Sequence, residues 1–189
     1  LHHAPGGAPY ANLAELGERI GAAASQTGIG LTLLPVLYEQ GGCDGRPLEG
    51  GQLRFANDPD RFARLHEAAS AAIAALSADA VIGVAPHSLR AVSPTGLSAA
   101  IQLAPDAPLH MHIAEQTAEI DEVLSAYGQR PLEWLFGQHR VDRRWCLIHC
   151  THMQPHETRA LAESGAIAGL CPVTEANLGD GIFDGAEFL

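Results

Sequence analysis

Basic residues are scarce in this 189-residue chain, where 11 lysines and arginines stand against 22 aspartates and glutamates. The formal net charge of −11 argues against a surface for nucleic acid or for an anionic membrane, so neither partner is expected. Apolar runs of about 18 residues are lacking, so no membrane span is indicated. No basic segment followed by an apolar stretch opens the chain, so no signal peptide is expected and we predict a cytoplasmic protein.

Paired cysteine motifs are also lacking. The chain has 4 cysteines, none in a CxxC arrangement, and Cys146 and Cys150 lie in or beside apolar runs. Buried, reduced thiols are therefore expected rather than disulfides. The chain begins at Leu1 and stops at Leu189 without a closing element. We therefore expect an internal piece of a longer protein, with residues 1–189 forming part of one domain.

What the sequence does contain is an alternation of two patterns. Short, nearly continuous apolar runs are typical of strands covered on both faces, and helical patterns separate them. The apolar runs are residues 31–38, 80–88, 108–115, 144–152 and 166–173. The helical patterns are residues 12–28, 58–77, 93–104, 115–128 and 154–165. This order predicts parallel strands joined by helical crossovers.

Local signals mark where these segments begin and end. Asn12 and Asp58 are candidate caps for the first two helices, and Gly165 is a candidate stop for the last. Residues 39–57 fit neither pattern, because they are rich in glycine and too long for a tight connection. We predict that they form a loop at the functional face.

Polar side chains gather where four of the five predicted strands end. They are His87, Arg90, His112, Glu115, His149, His152, Thr174 and Glu175. The carboxyl ends of the strands carry the active site of a parallel barrel, and an open doubly wound sheet also binds ligands there. No glycine-rich phosphate loop opens any of the helices, and chemistry spread over four consecutive strands favours a barrel.

Two of these strand ends suggest hydrolytic metal chemistry. The segment LHMHIAEQ places His112 in a strand and Glu115 just after it, and LIHC places His149 near the end of the next strand. Imidazole is a good ligand for zinc or iron, and a nearby carboxylate can carry a proton from water to a leaving group. Hydrogen-bonded core histidines are the alternative interpretation of both.

A third strand end carries a cation. His87 and Arg90 leave the second predicted strand together in the segment PHSLR. The arginine guanidinium can bind a carboxylate through two parallel hydrogen bonds. A surface salt bridge is the alternative for Arg90.

Several segments, taken in order, resemble one known family. They are GVAPHSLRAVSP, LHMHIAEQ, LIHCTHM and CPVTEANLGDGIF. They resemble the amidohydrolase superfamily of metal-dependent (β/α)8 barrels, and within it especially the formimidoylglutamate deiminases. The segments GIGLTLLPVLY and PLEGGQLRF also fit, so the resemblance covers nearly the whole chain. The HIAE and HC strand ends are shared across the superfamily, whereas APHSLR and TEANLGDG indicate this member.

The resemblance implies roles for five residues. His112 matches the metal ligand of strand five, and Glu115 matches the glutamate that carries protons. His149 matches the histidine of strand six that orients or polarises the attacking water. Arg90 matches the arginine that binds the carboxylate of the substrate, and His87 matches a histidine that lines the substrate pocket.

Other positions match the family without an assigned role, namely His152, Thr174, Glu175 and Asn177, and some depart from it. His110 shares a strand face with His112 by the period of two, and we expect it deeper in the barrel. The HxH metal pair of strand one is absent, because His2 and His3 are adjacent rather than alternate. The aspartate of strand eight is missing as well.

These departures set the expected extent of the fold. We predict a partial TIM-type (β/α)8 barrel that runs from about the end of strand 2 to just after strand 7, since a whole barrel takes about 250 residues. One of four expected metal ligands is then present. The expected metal is Zn²⁺, with Fe²⁺ and Ni²⁺ as alternatives, and dimerisation of the chain is left open.

The implied reaction is the hydrolysis of N-formimino-L-glutamate, a small-molecule substrate, to N-formyl-L-glutamate and ammonia. One alternative is another deaminase or a chlorohydrolase of the same superfamily, which would not need Arg90. A second alternative is that the chain alone is an inactive, incomplete barrel with open strand edges.

Overall fold

A computed structural model describes residues 2–76 and 79–189 of the chain. Its strands are short and lie in the predicted apolar runs. They are β1 (Leu31–Leu33), β2 (Val36–Leu37), β3 (Ala80–Ile82), β4 (Ala85–Pro86), β5 (Leu109–Ile113), β6 (Trp145–His149) and β7 (Ile167–Gly169). The α-helices are α1 (Glu15–Thr27), α2 (Pro59–Ile73), α3 (Pro94–Leu103), α4 (Thr117–Tyr127), α5 (Pro131–Gln138), α6 (Pro155–Ser164), α7 (Pro172–Leu178) and α8 (Gly185–Phe188). None of the helices in the described part of the chain is long and apolar enough to cross a membrane.

Every pair of neighbouring strands is parallel. β1 pairs with β3, β2 pairs with β4, and β5, β6 and β7 form a continuous sheet in that order. A parallel bridge between Val84 and Leu109 links the two groups. The strands therefore follow one another around the sheet in chain order, with helices between them. This confirms the predicted partial barrel.

Two of the predicted strands are interrupted. The run at 31–38 is divided into β1 and β2 at Leu34 and Pro35, because proline has no N–H to give to a strand ladder. The run at 80–88 is divided at Gly83, where the backbone approaches Pro108 so closely that a Cβ would lie 2.4 Å from its carbonyl oxygen.

The two faces of β5 differ in what they bury. Leu109, Met111 and Ile113 are at most 1% exposed and belong to the main hydrophobic core beneath the helices. His110 and His112 alternate with them, are half-buried and line a cavity on the interior side. The period of two thus directs two histidines into the barrel, as the sequence predicted for His110.

Capping explains most of the helix ends. The Asp58 side chain accepts the N–H of Arg61 at 2.7 Å, which confirms its predicted role, and Gly165 ends α6 in the left-handed region at φ 75°. The expected cap Asn12 is wrong, because α1 begins at Glu15 and Asn12 accepts the N–H of Ala14 in a turn before it. The predicted helical patterns did not include α5, α7 or α8.

The side chain of Asn57 links the end of the 39–57 segment to the strand residues before its start. Asn57 accepts the N–H of Tyr38 at 2.8 Å and donates to the carbonyl of Val36 at 2.9 Å. Within the segment, a 3-10 helix spans Gly50–Phe55 where the sequence predicted only an irregular loop. The closure lies directly after β2, so the loop projects from the carboxyl-end face.

Candidate active site

A row of four aromatic rings crosses the carboxyl ends of the central strands. The ring centroids of Tyr38 and His87 are 4.5 Å apart, those of His87 and His112 are 4.7 Å apart, and those of His112 and His149 are 5.6 Å apart. Tyr38 directly follows β2, His87 directly follows β4, His112 lies in β5, and His149 ends β6. The structure thus brings together the three histidines that the sequence singled out, and adds Tyr38.

His112 is held in one tautomer by the strand beside it. Its Nδ1 lies 3.0 Å from the carbonyl oxygen of His87, to which it donates. A proton on Nδ1 leaves the lone pair on Nε2, which is the form that binds a metal ion. Burial lowers the pKa of His112, which also favours the neutral ring. His112 is therefore chemically suited to be the predicted metal ligand.

His149 reaches the row through an unusual backbone conformation. It is the last residue of β6, and strict alternation would place it on the same side as the fully buried Trp145 and Leu147. Its φ of 76° lies in the left-handed region, which is rare outside glycine. The chain turns there, and the ring lies beside His112 instead. Strain of this kind is typical of functional sites.

Each ring nitrogen of His149 faces a carboxylate. Nε2 lies 3.3 Å from Glu115 Oε1, and Nδ1 lies 3.1 Å from Glu175 Oε1. A hydrogen bond between a ring nitrogen and a carboxylate oxygen needs a proton on one of the two atoms. The Glu175 contact is such a hydrogen bond and orients the ring, while the Glu115 carboxylate lies beside Nε2 at ion-pair distance.

Glu115 depends on the turn that follows β5. Ala114 before it has a φ of 53°, again left-handed. The buried carboxylate of Glu119 accepts the N–H of Ala114 at 2.9 Å and the N–H of Glu115 at 3.1 Å. These bonds satisfy two backbone amides that the strand and helix leave free.

Arg90 lies beside the same turn. Its Nη2 is 3.8 Å from Glu119 Oε2, and its side chain is 28% exposed. Burial, and then the charges of His112 and Arg90, lower the pKa of His87 to about 3, so His87 is neutral near pH 7. The charge of Arg90 also contributes, after burial, to the lowered pKa of His112.

The sequence alone assigned no role to Glu119 or Glu175. Both lie in helices and resemble surface carboxylates in the sequence, yet they are 0% and 5% exposed. The TEANLGDG motif drew attention to Glu175 without explaining it. His149, Cys171 and Glu175 also place ligand atoms within 4.8 Å of one another, a group that could hold a metal ion. In the structure Glu175 Oε1 already accepts the N–H of Cys171 at 2.9 Å as well as contacting His149.

Comparison with known proteins agrees with this geometry. The model of the amidohydrolase family, Amidohydro_1, matches residues 8–188. The chain belongs to the amidohydrolase family. Members of this family generally use a divalent metal ion, and the neutral ring of His112 fits one.

Individual relatives are close in sequence but longer. A formimidoylglutamate deiminase from Pseudomonas aeruginosa is 48% identical over 190 residues, which cover 100% of this chain and 42% of the relative. The crystal structure of an amidohydrolase from Brucella melitensis superposes with a TM-score of 0.96 at 55% identity, with the same shares covered. The chain thus spans under half the length of these relatives.

More distant relatives share less. A 5-methylthioadenosine/S-adenosylhomocysteine deaminase from Nitratidesulfovibrio vulgaris is 32% identical over 107 residues, covering 56% of this chain and 24% of the relative. The crystal structure of an adenosine deaminase from Xanthomonas campestris with bound zinc has a TM-score of 0.71 at 22% identity. The superposition covers 91% of this chain and 37% of the deaminase chain, and at this identity the likeness concerns the fold.

Proposed function

We propose that this chain carries the proton-transfer and substrate-binding part of a metal-dependent deiminase. The reaction is the hydrolysis of N-formimino-L-glutamate: water adds to the formimino carbon, the C–N bond to the terminal nitrogen breaks, and N-formyl-L-glutamate and ammonia leave. The observation that carries the proposal is the approach of Glu115 to within 3.3 Å of His149 Nε2, beside the His112 ring. The 48% identical deiminase supports the choice of substrate.

A divalent ion, when bound, would supply a more acidic water molecule and a Lewis acid that polarises the formimino group. His112 would hold it through Nε2, since Nδ1 is committed to the carbonyl of His87. The remaining ligands that the resemblance implies, an HxH pair and an aspartate, are expected in the parts of the relatives that this chain does not span. Zn²⁺ is the proposed ion, with Fe²⁺ and Ni²⁺ as alternatives.

Glu115 is the proposed proton carrier. Its carboxylate accepts a proton from the attacking water and gives it to the departing nitrogen, which leaves as ammonia. A single carboxylate can serve both steps because it can accept a proton and return it, and that of Glu115 is 16% exposed and 3.3 Å from His149 Nε2. Metal-activated water and a glutamate that moves protons form the same division of labour in zinc-dependent nucleobase deaminases.

His149 is the proposed partner of the attacking oxygen. Glu175 holds the ring at Nδ1, so its Nε2 edge is presented to Glu115 and to the water that Glu115 activates. When both ring nitrogens carry a proton, Nδ1 donates to Glu175 and Nε2 can donate to the attacking oxygen, where it stabilises the charge that develops. His87 forms the neighbouring wall of the pocket as a neutral ring.

Arg90 is the proposed anchor for a substrate carboxylate. It lies at the same strand ends as the histidine row, and a guanidinium has five N–H donors, of which the 3.8 Å contact with Glu119 occupies at most one group. A fixed cation beside the metal position suits a dicarboxylate substrate. Another deaminase or a chlorohydrolase of the superfamily would not need this cation.

An assay panel separates these substrates. The full-length protein would be loaded with Zn²⁺ and tested for ammonia release from N-formimino-L-glutamate, guanine, cytosine and adenosine analogues. We expect turnover of formiminoglutamate alone. Turnover of a nucleobase or nucleoside instead would replace the proposal with the second candidate, a superfamily deaminase, which the 5-methylthioadenosine/S-adenosylhomocysteine deaminase relatives favour. We further propose a cytoplasmic location, and a homodimer that sedimentation would test.

A further inference from the structure

Glu119 is a buried carboxylate whose two oxygens bind the backbone of the catalytic turn. It lies in the first turn of α4, and its side chain is 0% exposed. Oε1 accepts the Ala114 N–H at 2.9 Å, and Oε2 accepts the Glu115 N–H at 3.1 Å. A carboxylate that is removed from water loses its solvation, and strong hydrogen bonds to the backbone compensate for that loss.

The conformation in question is the left-handed one of Ala114. A φ of 53° is unfavourable for any residue with a Cβ, so the turn needs outside support. Without that turn, the chain would continue the direction of β5, and the Glu115 carboxylate would leave the vicinity of His149 Nε2. The two hydrogen bonds from the backbone amides to Glu119 provide this support from the side of α4.

The same carboxylate also faces Arg90. Arg90 Nη2 is 3.8 Å from Oε2, the oxygen that accepts the Glu115 amide. One oxygen therefore contacts both the segment that carries Glu115 and the side chain of Arg90. Any displacement of Glu119 would move these two groups relative to each other.

We propose that Glu119 is a positioning residue that fixes the distance between the proton carrier Glu115 and the carboxylate anchor Arg90. The roles of these two partners rest on the proposed function, while the hold of Glu119 on the turn does not. In Glu119→Gln one of the two backbone amides meets an NH2 donor instead of an oxygen, and Arg90 loses its negative partner. A side chain that only capped α4 would not link these two effects.

The test compares Glu119→Gln with Asp121→Asn in the full-length zinc-loaded protein. Asp121 lies on the same helix and is exposed, so the control makes the same acid-to-amide change away from the turn. We measure kcat and KM for formiminoglutamate, zinc content, and hydrogen exchange of the peptide that contains Ala114 and Glu115. We expect Glu119→Gln to lower kcat by about 10²-fold through misplacement of Glu115, to raise KM through release of Arg90, and to lose protection at the two amides with zinc retained.

Glu119→Gln that matches Asp121→Asn in kcat, or that keeps the protection of both amides, overturns the proposal. If Glu119→Gln does not fold, the comparison is made between Ala114→Gly and the double variant, because glycine adopts the left-handed conformation without strain. A double variant whose kcat stays near that of Ala114→Gly while its KM rises supports the proposal, and one with the KM of Ala114→Gly overturns it. A wild-type protein that fails to turn over formiminoglutamate refutes the proposed function, and the exchange measurement still decides whether Glu119 holds the turn.

Discussion

Replacing Arg90 with alanine is the sharpest test of the proposed selectivity. In a desolvated pair, loss of one partner of a charged hydrogen bond costs about 2–5 kcal/mol. Arg90 is 28% exposed and already has a partner 3.8 Å away in Glu119, so the lower part of that range applies. A loss of about 2–3 kcal/mol raises the KM for formiminoglutamate by about 30- to 160-fold.

The assay is steady-state ammonia release by the full-length protein, with zinc content measured on the same samples. Zinc content should not change, because no arginine is among the expected ligands. Arg46→Ala is the matched control, since Arg46 is an arginine in the 39–57 loop whose side chain is 50% exposed and whose ion pairs are with Asp44 and Glu122. Arg90→Ala with the KM of the wild type would refute the role of Arg90 as anchor.

Three further predictions concern the orienting carboxylate, the thiols and the isolated chain. Removing the partner of His149 in Glu175→Ala should lower kcat by about 10- to 100-fold with zinc retained, and wild-type turnover would contradict this. Burial and then the charge of Glu122 raise the pKa of Cys43 to about 11, and burial raises that of Cys150 further. Alkylation of Cys43, measured by mass spectrometry, should therefore accelerate about tenfold per pH unit from pH 7 to 10. Cys150 should react only after unfolding. A Cys43 alkylation rate that levels off near pH 9 would contradict this prediction. The 189-residue chain alone should release no ammonia and bind less than one zinc per chain in equilibrium dialysis, because it supplies one expected ligand; stoichiometric binding would contradict this.

The order of the elements could be predicted from the sequence because burial leaves a pattern. Strands covered on both faces read as continuous apolar runs, and a proline after Asp58 marks a helix start. Helix α5 was missed because it directly follows α4 within one crossover, where a single helix is the usual expectation. Its opening Pro131 is the signal that could have revealed it.

The site could be predicted only in part. The histidines and Glu115 were found because chemically distinctive residues end apolar strands. The left-handed turns at Ala114 and His149 could not be found, because neither residue is glycine and nothing in a one-dimensional pattern indicates a positive φ there. Glu119 was missed since a glutamate in a helix is most often exposed, and Glu175 was noted at a strand end without an assigned role.

Glu115→Gln in the full-length protein tests the central claim most directly. The account predicts a protein that folds, holds its zinc and keeps a KM close to that of the wild type, but loses about 10²- to 10⁴-fold in kcat because no carboxylate carries the proton. Glu18→Gln, on the exposed face of α1, is the control and should retain full turnover. A Glu115→Gln protein that hydrolyses formiminoglutamate at the rate of this control would contradict the account.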